Sequence, residues 1–83
     1  MDIKTNSAYL LITCNDGKLD EVISQIEPLD IIKEIQSTCG AYDIVAKVES
    51  TTKEHLQEFF IQKIRTLVEI RSVMVLGCKQ NIQ

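Results

Sequence analysis

The sequence has very little of what catalytic motifs are built from. Its 83 residues include a single histidine and three glycines. A phosphate-cradling loop needs several glycines so that backbone amides can approach an anion, and no such run occurs. There is no H-E-x-x-H helix, no G-x-S-x-G elbow and no motif of paired carboxylates for acid–base work. His55 lies between Glu54 and Leu56, away in sequence from any Ser or Cys nucleophile, and reads as a solvated helix residue. The chain is not expected to be an enzyme. Cys14, Cys39 and Cys78 are odd in number and contain no C-x-x-C pair, so a zinc ribbon or dithiol redox motif is not expected, nor any metal or cofactor. They suit small buried apolar positions in a reducing compartment.

Positive charge is also in short supply. Nine Lys and Arg against 12 Asp and Glu give a net charge of -3. Counterion release on DNA needs clustered Lys and Arg, which argues against direct nucleic-acid binding. Aromatic residues make up 5%, and Tyr9 and Tyr42 are too few to form a base-stacking sheet. The Met1–Ser7 start is short and polar, and no apolar run approaches the roughly 18 residues of a membrane span. A cytoplasmic protein with no membrane partner is expected.

The remainder is ordinary folded-domain composition, 45% hydrophobic and 25% charged, and its length suits one domain over residues 1–83. Ala8–Cys14 is rich in β-formers and stops at Asn15-Asp16-Gly17. From Lys18 to Glu27, Leu19, Val22, Ile23 and Ile26 follow one helix face, and Pro28 ends it. Residues 30–38 suit a strand near a sheet edge. After Gly40, Tyr42, Ile44, Ala46 and Val48 alternate along a third strand over Ala41–Glu49. Thr51-Thr52-Lys53-Glu54 has capping-box spacing, which places a helix start at Thr51. Leu56, Phe59, Phe60, Ile64 and Leu67 continue that helix as a stripe to Thr66 or Leu67, and Glu69–Cys78 reads as a last strand. The order β-α-β-β-α-β predicts an α+β fold of the ferredoxin-like plan: a four-stranded antiparallel sheet with two helices on one face.

The first and last strands carry apolar residues on both parities: Leu10 and Ile12 against Tyr9 and Leu11, Met74 and Leu76 against Val73 and Val75. Two helices cover one sheet face, so the other is expected to be covered by a second copy of the chain in a homodimer or higher homo-oligomer. Val73 and Val75 are the residues expected to face that contact. A domain this small buries only roughly 60–65% of the surface its unfolded chain exposes, so added burial would help.

Gly40-Ala41-Tyr42-Asp43-Ile44-Val45 is the most informative segment. Asp is poorly suited to a strand interior, and Asp43 follows a hairpin glycine at the start of an apolar run. It could accept backbone amides of the turn, or a ligand ammonium group in a pocket. The segment through Val48 resembles the G-x-Y-D-hydrophobic signature of the RAM domain, the C-terminal effector-binding half of Lrp/AsnC transcription regulators. Ala8–Ile12 with Gly17-Lys18, and Lys63-Ile64-Arg65 with Val68–Leu76, resemble its other elements, so the similarity runs from about Ser7 to Lys79. The resemblance implies facing sheets in a dimer, association of dimers into rings, and an amino-acid effector bound near the hairpin. Carried over by position, Gly40, Tyr42 and Asp43 are candidate effector-site residues, while Cys39 departs from the pattern. Only Met1–Asn6 precede the first strand, too few for a helix-turn-helix unit. The chain therefore resembles stand-alone modules of that family, which sense metabolites or modulate full-length Lrp/AsnC regulators by mixed assembly. A small dimeric ferredoxin-like monooxygenase or isomerase and an ACT-like sensing domain share the strand order and stand as alternatives.

Overall fold

The computed structural model describes residues 6–78, and its element order is the one the hydrophobic pattern predicts. β1 (Asn6–Cys14) lies between β3 (Ile44–Ser50) and β4 (Ile70–Cys78), and β2 (Ile32–Ser37) pairs with the outer edge of β3. All three pairings are antiparallel, in the order β2-β3-β1-β4. Alternation puts Ala8, Leu10 and Ile12 of β1 on the same face as Ile44, Ala46 and Val48 of β3, and all six are buried. α1 (Leu19–Ile26) adds Val22 and Ile26 to that cluster, and the second helical segment adds Phe59 and Ile64, so both helices cover the same face. The chain enters α1 through Gly17, whose φ of 75° favours a residue without a Cβ.

The second helix differs from its expected form at both ends. α2 (Lys53–Phe59) is capped by Thr52, whose hydroxyl accepts the amide of His55 at 3.1 Å. The expected Thr51–Glu54 box therefore does not form. β3 runs on to Ser50 and Thr52 is itself extended, with φ -126° and ψ 144°, so the helical turn begins one residue later. His55 is more than a solvated helix residue, because its Nδ1 lies 2.8 Å from Ser50 Oγ and ties the helix start to the end of β3. At the other end, α2 passes into a π-helical turn over Phe60–Ile64, closed by the amide of Arg65 on the carbonyl of Phe60 at 3.0 Å. The wider turn still delivers Ile64 to the core.

Two strands also differ from expectation. β2 begins at Ile32 rather than residue 30, and its register against β3 is irregular between Ile32 and Glu34. β3 begins at Ile44, because residues 38–43 are used by the hairpin. The register of β4 corrects the expected contact face. Val73 pairs with Ile12 and Val75 with Leu10, so both lie on the helix side; Met74 pairs with Leu11 and Leu76 with Tyr9, on the face turned away from the helices. Met74 and Leu76 are 47% and 48% exposed there.

Thr51 and Thr52 are chemically alike, so substitution separates a cap from a neighbour. Thr52→Ala is expected to lower unfolding stability by about 0.5–2 kcal/mol. Thr51→Ala should change it by less than about 0.5 kcal/mol, as surface substitutions do. Urea midpoints of the two variants measure this, and equal losses would place the cap elsewhere.

Candidate functional site

The β2–β3 hairpin holds all three residues singled out from the sequence. Ser37 and Ile44 form the last pair of the ladder, and the amide of Thr38 then donates to the carbonyl of Asp43 at 2.8 Å. The Thr38 hydroxyl donates to the carbonyl of Tyr42 at 2.6 Å, closing the loop from the inside. Gly40 turns the chain with φ of 123°, a conformation that strains any residue with a side chain. Cys39 beside it is exposed, so the expectation of buried cysteines holds for Cys14 and fails here; the side chain of Cys78 lies outside the described residues.

Asp43 is fastened to β1 at two points. Its amide donates to the carbonyl of Ile12 at 2.8 Å, and its Oδ2 accepts the amide of Cys14 at 2.8 Å. The register between β1 and β4 shifts between Thr13 and Cys14, so the carboxylate binds an amide at the irregular end of the strand. The first of the two readings of Asp43, a carboxylate serving backbone amides, is thus present in the structure. The amide comes from β1 rather than from the turn itself. Cys14 is buried behind this contact, and burial first, then the nearby Asp43 charge, pushes its thiol pKa up.

Tyr42 points elsewhere than its sequence parity suggests. Lying just before β3, it does not join the buried face of Ile44, Ala46 and Val48; its hydroxyl donates to the sulfur of Met74 at 3.8 Å. Because Met74 shares the face of Leu11, Tyr42 connects the hairpin to the helix-free side of the sheet. That side carries Tyr9, Leu11, Met74 and Leu76, bordered by Lys47, which lies 6.0 Å from the Tyr9 ring centroid and 3.3 Å from Glu49. The hydrogen bond to Glu49, followed by smaller charge effects from Tyr9 and Glu49, raises the Lys47 pKa. Sequence reasoning missed Met74 as a neighbour of the hairpin. Nothing local records that contact, since it depends on the register of β4 against β1. Among the described residues no three His, Cys, Asp or Glu side chains gather as metal ligands would, and no helix is long and apolar enough to cross a membrane.

A four-stranded antiparallel sheet with helices on one face, an apolar opposite face and a glycine-turned hairpin at its border defines a ferredoxin-like α+β domain. Residues 7–77 match the Lrp/AsnC ligand binding domain, and the chain belongs to that family. The family is a domain of transcription regulators rather than a class of enzymes. Over 52 residues the chain is 36% identical to the HTH-type transcriptional regulator FL11 of Pyrococcus abyssi, a stretch covering 63% of this chain and 34% of that regulator. It spans about a third of the length of such relatives. The crystal structure of FFRP-DM1 superposes with a TM-score of 0.86 at 30% identity, covering 89% of this chain and 99% of the other. E. coli AsnC superposes with a TM-score of 0.84 at 30% identity, covering 92% of this chain and 52% of AsnC.

Two outcomes follow from the Asp43–Cys14 contact. Asp43→Asn keeps an acceptor oxygen but removes its charge, turning a charge-assisted bond to the Cys14 amide into a neutral one, and is expected to lower ligand-free stability by about 1 kcal/mol, measured by urea unfolding. The second concerns pH. A thiol that ionises at higher pH when folded stabilises the fold fully below its unfolded pKa of about 8.5, and that contribution is lost as pH rises towards the folded value. The melting temperature should therefore fall above about pH 8.5, and less steeply in Cys14→Ala. Parallel slopes for the two proteins would remove Cys14 from the effect.

Proposed function

We propose that this chain is a regulatory module that binds an amino acid or a related small metabolite at the hairpin end. In this reading it assembles as a homodimer or higher homo-oligomer through the helix-free sheet face, and acts on transcription through full-length Lrp/AsnC partners. The observation that carries the reading is the Tyr42–Met74 contact. It joins the G-x-Y-D hairpin to the exposed apolar face, so that covering the face would alter the surroundings of the hairpin.

Physical chemistry supports both halves. Fully burying a Leu or Met side chain contributes about 1.5–3 kcal/mol, which makes the Met74 and Leu76 surface a strong contact for a second copy. An ionised carboxylate offers about four acceptor positions. The Cys14 amide occupies one of them, leaving capacity for a ligand ammonium group at Asp43. Hairpin carbonyls and the Tyr42 ring would complete such a site. With a net charge of -3, contact with DNA is assigned to a partner that carries a helix-turn-helix unit.

Light scattering is expected to give at least a dimeric mass at micromolar concentration. Met74→Lys and Leu76→Lys should each weaken assembly by about tenfold or more, because an unpaired charge would be desolvated at the contact. A monomeric wild type overturns the assembly half. For the ligand half, a thermal-shift screen of the amino acids should yield a stabilising compound. Calorimetry should then show Asp43→Asn binding it roughly one to two tenfold steps more weakly while remaining folded. Unchanged affinity in the folded variant rejects the hairpin site.

A further inference from the structure

At the end of the sheet opposite the hairpin, a groove of about 560 Å³ opens between α2 and the strands β1 and β4. Ala8, Leu10 and Val48 form its strand side, and Leu56, Phe59 and Phe60 its helix side. Four of these, Ala8, Leu10, Val48 and Phe59, belong to the buried core, so the groove reaches down to it. The volume falls within the roughly 300–1,000 Å³ of small-molecule pockets.

Its charge is unlike that of the rest of the chain. Acidic residues outnumber basic ones 12 to 9, yet among the described residues Lys53 and Arg65 both line the groove and no Asp or Glu does. Among the described residues, neither cation takes part in an ion pair; those present join Lys18 to Glu21 and Lys47 to Glu49. A second observation points to the same place. The π-helical turn runs over Phe60–Ile64 and is closed by the Arg65 amide, so Phe60 and Ile61 enter the lining from an irregular stretch of helix and Arg65 from its cap. Such turns are often found at functional sites. This one leaves Ile61 56% exposed, facing a groove that also exposes Val75 at 44%.

We propose that the groove is a second small-molecule site, separate from the hairpin, for an amphipathic carboxylic acid. The apolar tail lies between the β1–β4 strands and the Leu56, Phe59 and Phe60 side chains, displacing water from surface that the fold leaves uncovered. The carboxylate meets Lys53 and Arg65, whose guanidinium fork matches a carboxylate's two oxygens. A neutral tail would gain the apolar contacts alone, so the acid is preferred by the positive charge of Lys53 and Arg65. The proposal is independent of the hairpin reading, because the groove shares no residue with Thr38–Asp43.

Octanoate, with octanamide as its neutral counterpart, tests it on the intact chain by amide NMR titration. Octanoate is expected to shift signals of Leu56, Ile61, Val75 and Gly77, and to leave those of Thr38–Asp43 unmoved. Arg65→Gln and Lys53→Gln, both at exposed positions, should each weaken octanoate about tenfold, the loss of one charge-assisted contact. Octanamide, which loses the charge at both contacts, should bind the wild type more weakly than either variant binds octanoate, by about a further tenfold. The proposal is overturned if octanoate leaves the groove signals unmoved, if octanamide binds as tightly as the acid, or if both variants retain full affinity. It is overturned equally if Ile61→Lys lowers the mass in solution, since the groove would then be a contact between copies of the chain.

Discussion

Everything in this fold is arranged around a strand that is paired along both edges. β1 pairs with β3 on one side and β4 on the other, so its backbone groups are satisfied within the sheet and its side chains divide cleanly between the two faces. One face receives Ala8, Leu10 and Ile12 into the core under the helices. The other presents Tyr9 and Leu11 beside Leu76 and Met74. Because the pairing is fixed, neither set can move to the other face without a one-residue slip that would expose the core. The apolar character of the outer face follows from the same register that buries the inner one.

Where the ladder becomes irregular, the hairpin takes over. The end of β1 shifts register at Thr13 and Cys14, and Asp43 reaches back from the hairpin to bind the Cys14 amide. The G-x-Y-D segment therefore reaches both β1 and its neighbour β4: Asp43 binds β1, and Tyr42 binds Met74 on β4. Any ligand that engages the carboxylate draws on a group that also holds the sheet together, which couples binding to the stability of that edge. The same economy explains why an Asp is tolerated beside an apolar run.

Most of the fold was legible because its signals are periodic. Alternation in β1 and β3 and the Val22–Ile26 spacing of α1 directly report which side chains go inside. The parity of β4 was not legible, since Val73, Met74, Val75 and Leu76 are all apolar and only pairing with β1 separates them. The cap at Thr52 depends on where β3 ends, and adjacent threonines carry no local mark of that. The π-helical turn still brings Ile64 into the core while leaving Ile61 exposed, so the stripe of Phe60 and Ile64 looks the same with or without it. In the candidate site, Asp43 stood out as a charge in the wrong surroundings, but its bond to Cys14 and the reach of Tyr42 to Met74 are products of tertiary register.

The irregular register of β2 means that the two rims of the sheet are not equivalent. β2 carries Lys33 and Glu34 at its distortion, and charge and distortion together discourage another strand from adding there. β4, the opposite rim, has no charged residue from Ser72 to Gly77 and no bulge within that stretch. It is a ready template for strand addition. The sheet is therefore polar in the sense that a growing filament is polar, blunted at one rim and open at the other, and uncontrolled association of this chain at high concentration would begin at β4.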